Sequence, residues 1–569
     1  MRENGSVPTE SVPEEFFGTT AAQQGVWYGQ LVDPDSPKYN IGECFEIRGD
    51  LDATLFAAAV DRALQLCDSF NLEFVTEGDD VLQRIVPHPA DAPGRLRTVD
   101  MSHAADPAAE VERYMAEDMA TADSLHRPRH HFALLRAGSR LHYWYVRFHH
   151  IAVDGLGGAL FTLAVADLYG RAVRGEDLAE AQLPAAPLRA LVDDETAYRD
   201  SGRYEADRAY WTGRFADLAA AASDASDASG GDAHSGRTLI RRRTDLPAPG
   251  SEGPGIRLHT GESLSASVFD DLRRLGSAHR TTWSAVLVAA VAAYTARVTA
   301  TADVTVGLAS NGRHGGLRHI VGMTANILPL RLTLTPDMTV GALVRDVADE
   351  MRAALRHRRF SREQLARELN MGDDAARLTG IVVNIMGYDY DRDFGGIQAP
   401  SRVLSVGPVD DVSLFVSERA EGKGPLIGFD ARSDLYRPED VRLHEQAVVS
   451  FVSALATADP GLPLRDLPLV DETAAPALRA QGHGTALPEQ AVTTTLPEAF
   501  RAQARRTPDA PAVVDGAHTL SYRQLDRAAD DLASALTGWG IAAEDGVAVL
   551  LGRSAAVPAA TLAAVAAGA

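Results

Sequence analysis

Apolar positions along the chain follow two rhythms, one with a period near 3.6 and one with a period of 2, and their succession lays out the elements. Leu51 to Leu66 (LDATLFAAAVDRALQL) has helical spacing, with Asp52 placed to cap it. Residues 129 to 150 (RHHFALLRAGSRLHYWYVRFHH) read as two strands folded back at Ala137-Gly138-Ser139-Arg140. Leu156 to Tyr169 (LGGALFTLAVADLY) returns to helix, and Asp193 to Leu218 reads as one charged helix. Further on, the pattern predicts helices at 265–278, 284–298, 340–357 and 437–456. Strands at 303–309, 379–388, 412–416 and 425–431 and an extended segment at 320–334 fall between them. Helices alternating with strands in two successive stretches predict an α/β protein of two sandwich-like halves, 15–180 and 181–470.

Shifts in composition mark what lies outside those halves. Residues 1–14 are polar and acidic and are expected to be disordered. Residues 222–256 begin and end in Gly, Ser, Asp and Pro that cannot bury a core, so they predict a flexible insert. Arg241-Arg242-Arg243 within it read as a solvated strand. Residues 471–495 read as a linker, and the character changes again over 496–569.

The densest chemistry is the stretch Arg147-Phe148-His149-His150-Ile151-Ala152-Val153-Asp154-Gly155, where a strand runs out and a helix begins. Alternation along the strand separates the two imidazoles. His150 lies with His142, Trp144, Val146 and Phe148, and His149 with Tyr143, Tyr145 and Arg147. One ring can face a reactant while the other is held by the scaffold. An imidazole near its reference pKa of about 6.5 can take a proton from an attacking amine or hydroxyl at neutral pH. Asp154 is placed to anchor the turn through backbone N–H groups or an arginine. Gly155 is expected to allow a sharp turn and a close substrate approach. The competing reading is two ordinary strand histidines before an Asp-Gly turn. His130-His131 has no following Asp-Gly and reads as strand.

Composition narrows the classes. The length of 569 residues exceeds a single core and suggests roughly four compact units. A net charge of −23, from 55 basic and 78 acidic side chains, argues against a nucleic-acid surface. Two cysteines, Cys44 and Cys67, cannot form a disulfide framework or a four-cysteine metal site, and each reads as a packed small residue. No metal site is expected. The N-terminus has no signal-peptide core, and the most apolar run, Ser284 to Val298, is short of a membrane span. A cytoplasmic protein without membrane attachment is expected.

HHIAVDG resembles the HHxxxDG signature of the condensation domains of nonribosomal peptide synthetases, in the chloramphenicol acetyltransferase-like superfamily. Other stretches match in order: Thr19-Thr20-Ala21-Ala22-Gln23-Gln24-Gly25-Val26-Trp27, Tyr39-Asn40-Ile41, Tyr198-Arg199-Asp200 with Tyr210-Trp211, and Val321 to Arg331 (VGMTANILPLR). One segment departs from the family. Leu66 to Phe74 (LCDSFNLEF) stands where arginines are expected, and Leu66 and Asn71 occupy their positions. In the family an arginine there supports the motif aspartate, so Asp154 needs another partner, Arg147 or Arg313. Leu496-Pro497-Glu498-Ala499-Phe500 and Leu520 to Leu525 (LSYRQL) resemble the opening of an adenylation domain, whose phosphate loop and later lysine are not found before Ala569. Productive ATP binding is therefore not expected.

The resemblance implies two chloramphenicol acetyltransferase-like half-domains in a V around a central tunnel, followed by a truncated adenylation start. It implies a transferase that forms an amide between a donor acyl or peptidyl thioester and the amine of a carrier-bound amino acid. His150 would be base or positioner, His149, Asp154 and Gly155 would shape the loop, and Met323 and Asn326 would bind substrate. No cofactor is held covalently, and substrates arrive on the 4′-phosphopantetheine of donor and acceptor peptidyl carrier proteins in trans, with other synthetase subunits as partners. With no carrier ahead of Met1, the donor is expected from another polypeptide or as a soluble thioester. Two alternatives remain: an acyltransferase acting on a soluble amine or alcohol, and a carrier-docking platform without chemistry, which the missing arginines keep open.

Overall fold

The computed structural model describes residues 16–568 except 79, 87–95, 128–129, 183–185, 226–256, 372–377, 388–390, 418–423, 434, 471–474, 483, 485–492 and 517. Most of the insert predicted at 222–256, with its three arginines, lies outside the described residues, as do residues 1–14. The chain divides into two compact units, Met1–Asp471 and Glu472–Ala569.

Within the first unit, α1 (Ala21–Val32) leads into β1 (Asn40–Arg48) and α2 (Ala53–Leu66), which Asp52 caps through the Thr54 and Leu55 N–H groups. β2 (Leu96–Asp100), α3 (Pro107–Met119), β3 (His131–Arg136) and β4 (Leu141–His149) follow, with β3 and β4 forming the predicted hairpin. α4 (Gly155–Val173) packs on α2 beneath the sheet. By length and composition α4 could cross a membrane, but most of it is buried in the core.

The charged segment predicted as one helix is two, α5 (Arg189–Arg199) and α6 (Gly202–Ala225). Asp200 ends the first by donating its N–H to the Thr196 carbonyl, and the Ser201 hydroxyl closes on the Tyr198 carbonyl at 2.6 Å. The break lets the Tyr198 hydroxyl reach Asp207 at 2.9 Å.

β5 (Arg257–Ser263), α7 (Ala266–Ala278), α8 (Trp283–Thr299), β6 (Asp303–Asn311) and β7 (Ala325–Thr333) open the second half. α9 (Val340–Arg356), α10 (Arg362–Glu368), β8 (Ile381–Met386), β9 (Ser401–Val406), β10 (Val412–Ser417), β11 (Leu426–Arg432) and α11 (Pro438–Thr457) complete it. α9 shows why these segments are helical: Val340, Leu343, Val344, Val347 and Met351 fall on one buried face at three- and four-residue spacing. α8 is buried on nearly every side between α7, α9, α11 and β6, which accounts for its alanine-rich sequence.

Two sheets result. The second runs β7-β6-β8-β10-β11-β5. The first runs β9-β1-β4-β3-β2, so a strand from late in the chain, β9, completes the sheet of the first half. The boundary between halves near residue 180 is therefore crossed by β9, and also by Phe394 and Ala399, which pack in the first half's core. Aromatic side chains fill the first core: Phe45 stacks on Trp144 with centroids 5.1 Å apart, and Phe56 meets both Trp144 and Tyr169 edge-on. Each such buried ring contributes roughly 1.5–3 kcal/mol through removal from water.

The second unit holds helices Ala475–Gly482, which lies within the segment expected as a linker, Leu496–Arg506, Tyr522–Gly538 and Ala556–Ala567, and a ribbon of Pro511–Asp515 paired with His518–Ser521. Thr495 with Glu498 and Ser521 with Gln524 form capping boxes on the second and third of these helices.

Candidate active site

β4 ends where β1 runs out of partners. Asn40 lies opposite His149, the next N–H, of His150, goes to the Tyr39 carbonyl at 2.8 Å, and the chain turns through Ile151, Ala152 and Val153 into α4. Alternation carries through that end, and His150 lines a cavity of about 890 Å³ while His149 does not.

His149 is 1% exposed. Its Nδ1 accepts the Ile151 N–H at 3.2 Å, so a neutral ring carries its proton on Nε2. Burial first, then the charges of His150 and Arg147, push its pKa down to about 3. His149 is therefore a neutral part of the scaffold, with a consequence for stability. The unfolded chain binds a proton near pH 6.5 that the folded ring refuses, so stability is full above that value and is lost as pH falls toward 3. From pH 7 to pH 5 the wild type is expected to lose about 2 kcal/mol more than His149→Asn, whose amide oxygen can still accept from Ile151. Urea midpoints at the two pH values measure this, and equal losses would remove His149 as the cause.

His150 is held the other way round. Its Nδ1 lies 3.0 Å from the Val153 carbonyl, which can only accept, so Nδ1 carries the proton and Nε2 the lone pair. Burial lowers its pKa, against the pull of Asp154 and of the Val153 and Val406 carbonyls, so the ring is neutral at pH 7. Gly407, in the loop after β9, packs on the ring edge with φ +108°; a Cβ there would stand 2.4 Å from Cδ2 and 2.8 Å from Nε2.

Asp154 caps α4 with Oδ1 on the Gly157 N–H at 2.9 Å, and its Oδ2 accepts from Arg313 Nη1 at 2.7 Å, the Thr324 N–H at 3.0 Å and the Thr324 hydroxyl at 3.1 Å. Burial pushes this carboxyl up, but Arg313 and the N–H donors of Gly157 and Thr324 win and hold it below the ordinary carboxylate value. Arg313 also donates to the Ile320 and Gly322 carbonyls at 2.9 and 2.6 Å. The absent arginines are thus replaced from the second half. Arg147 serves elsewhere: it bonds Asp118 at 2.6 Å and Asp123 and Asn40 at 3.2 Å. In the departing segment, Ser69 donates to the Val321 carbonyl at 2.6 Å and Asn71 closes the end of α2 on the Leu64 and Cys67 carbonyls. Gly157 is required by close approach, since a Cβ would meet Val153 Cγ2 at 2.4 Å and the Gly322 carbonyl at 3.0 Å.

Gly155 differs from expectation. It is the first residue of α4 and takes no positive φ, so the turn does not need its freedom, although it borders the cavity. Met323 and Asn326 also line the cavity. The Asn326 amide, however, is spent on the protein: Nδ2 donates to the Arg358 and Phe360 carbonyls at 2.9 Å each, and Oδ1 accepts the Arg362 N–H at 3.1 Å. It positions α10 instead of offering a free group to a ligand. Cys44 and Cys67 are buried away from the cavity with thiols pushed up to about 12, so neither supplies a thiolate nucleophile. Sequence reasoning missed Gly407 and Thr324. Thr324 sits inside a segment it had singled out, whereas nothing local marks Gly407.

The arrangement offers a neutral imidazole at the wall of a cavity lined by both apolar and charged side chains, with its orientation fixed by backbone. Such a group can orient an amine or hydroxyl and take its proton. Residues 14–478 match the family model of the condensation domain, and residues 500–569 match that of an AMP-binding enzyme. The chain is 32% identical over 540 residues to the dimodular nonribosomal peptide synthase of Bacillus subtilis (strain 168), covering 95% of this chain and 21% of that protein. It is 34% identical over 538 residues to the isonitrile lipopeptide synthase of Streptomyces coeruleorubidus, covering 94% and 34%. The starter condensation domain of rhizomide synthetase RzmA, crystallised as a double mutant with C8-CoA and Leu-SNAC, has a similar structure. The TM-score is 0.69 at 31% identity, covering 80% of this chain and 98% of that one. The chain spans 21% and 34% of the length of the two curated relatives.

Proposed function

The chain belongs to the condensation-domain family, and on that premise we propose that it joins a donor acyl thioester to the amine of an amino acid presented as a thioester on an acceptor carrier, forming an amide. The observation that carries this reading is His150, whose Nε2 lone pair is set at the cavity wall by the Val153 carbonyl. The acceptor nitrogen attacks the thioester carbonyl carbon; as the C–N bond forms, the nitrogen becomes cationic and the carbonyl oxygen anionic. Nε2 orients the amine and accepts the proton it sheds. Collapse of the intermediate breaks the C–S bond, and the departing thiolate takes up the proton held on Nε2, which returns the imidazole to its neutral form, so atoms and charge balance. An α-amine has a reference pKa near 8, so a nearby neutral base matters most for holding its free form.

Asp154 contributes by fixing the loop through Arg313, and Met323 borders the bound groups. Both substrates arrive on 4′-phosphopantetheine arms, from donor and acceptor carriers acting in trans with other synthetase subunits. The likeness to a starter condensation domain crystallised with C8-CoA and Leu-SNAC supports thioester substrates on both sides. Because Asp154 keeps an arginine partner, the main reason for reading the chain as a docking platform without chemistry is gone.

The test is intact-protein mass spectrometry of an acceptor carrier loaded with an aminoacyl arm, mixed with acyl-loaded donor carriers and this protein. The acceptor is expected to gain the acyl mass. No gain from a panel of donors and acceptors, with the protein folded, would sink the proposal.

A further inference from the structure

Away from His150, the cavity wall contains a group with an unmet hydrogen bond. Among the described residues that line the cavity, only Glu43 has a buried polar side-chain atom without a partner, its Oε1. It is 6% exposed and interrupts an apolar row, since Ile41, Phe45 and Ile47 share its face of β1 and belong to the core. Val146 stands opposite it on β4 and Val403 on β9. Two polar neighbours are near. Ser401 hydrogen-bonds the carboxyl, and Arg392 acts as a charge, its guanidinium being tied to the Thr162 hydroxyl and the Ala159 carbonyl at 3.0–3.1 Å. Burial outweighs both and pushes the Glu43 pKa up to about 8, so at neutral pH it is mainly a carboxylic acid with an O–H to donate. A buried polar group left unpaired is destabilising, and a suitable ligand atom would offset that cost.

The position of Glu43 says which ligand atom that is. Asn40 lies abreast of His149, and Glu43 is three residues farther along β1, about 10 Å at about 3.3 Å per residue. The cavity lining is not uniform: it includes exposed Tyr28 and Val32 from α1, whereas Ile41, Phe148 and Val403, the neighbours of Glu43 along β1 and on the flanking strands, are buried, as is Met386.

We infer that the buried apolar wall around Glu43 lines the donor acyl chain, and that Glu43 selects a chain bearing an uncharged hydrogen-bonding group, a hydroxyl or amide, about 10 Å from the reacting carbonyl. The charge of Arg392 disfavours an ammonium there, and desolvation disfavours a carboxylate. The inference rests on the acyl-transfer reading above.

Calorimetric titration of octanoyl-CoA and 8-hydroxyoctanoyl-CoA into the full chain and its Glu43→Gln and Glu43→Leu variants tests it. The wild type is expected to bind the hydroxylated probe about tenfold more tightly than the plain one, with Glu43→Gln keeping most of that preference and Glu43→Leu reversing it. The same affinity ratio in all three proteins overturns the inference and leaves acyl transfer standing. Failure of both probes to bind the wild type counts against the acyl-transfer reading and takes the inference with it. Should Glu43→Leu not fold, absence of a preference in the wild type alone is enough to overturn it.

Discussion

Arg313→Ala is expected to cost the first unit about 3–5 kcal/mol of folding stability, seen as a lower urea midpoint, and to take acyl transfer down with it. The guanidinium and the Asp154 carboxylate are both almost fully buried, 2.7 Å apart. Removing one partner leaves the other charge buried, and removing this arginine also strips donors from the Ile320 and Gly322 carbonyls. Asp154 would keep the Gly157 and Thr324 donors, which cannot neutralise it. The loss should therefore shrink when the charge goes too: Asp154→Asn combined with Arg313→Met is expected to be more stable than Arg313→Met alone. The sign with pH follows from the depressed carboxyl. The contribution of the pair is full above the ordinary carboxylate value of 3.8 and disappears as pH falls below it, so wild type and variant converge in acid. A double variant no better than the single would mean that Asp154 is not the partner that matters.

Asp154 also shows where sequence reasoning reaches its limit. That it anchors the turn is legible, because an aspartate ahead of a helix start is a local signal. Which arginine holds it is not, because Arg313 is 159 residues away and arrives through the packing of one half on the other. Arg147 was a candidate by nearness in sequence, yet alternation already set it on the face of His149, where Asp118 and Asp123 take it. The same alternation separated the two histidines correctly. The hairpin at 137–140 and the helix capped by Asp52 were equally readable, since period and turn chemistry are local. The single helix expected over 193–218 breaks at Asp200-Ser201-Gly202, where the Ser201 hydroxyl bonds the Tyr198 carbonyl and the helix ends. Asn326 was expected to bind substrate, but its amide is held by carbonyls at 358 and 360, which sequence spacing cannot bring beside it. The crossing of β9 into the first sheet pairs residues some 360 apart, and the position of Gly407 depends on it.

That crossing gives the other large effect. His150→Ala is expected to slow single-turnover condensation about 10²–10⁴-fold, the usual range for losing a positioned acid–base group. Gly407→Ala should reach at least the lower end of that range without touching the imidazole chemically. Its new Cβ would lie 2.4 Å from His150 Cδ2, well inside contact distance, while Val153 holds the opposite edge of the ring. Either the ring gives up the Val153 carbonyl, losing the tautomer that leaves Nε2 free, or the loop after β9 moves off the cavity. An alanine at φ +108° also strains the backbone, which biases the loop toward moving. The two variants should not add. With His150 already alanine, the Cβ at 407 has no ring to displace, so the double variant is expected within about threefold of His150→Ala. Rapid-quench rates for the wild type, both singles and the double decide it. A Gly407→Ala enzyme that folds and turns over at the wild-type rate would show that the ring position is not set by this loop, whereas losses that multiply in the double would assign Gly407 an effect independent of His150.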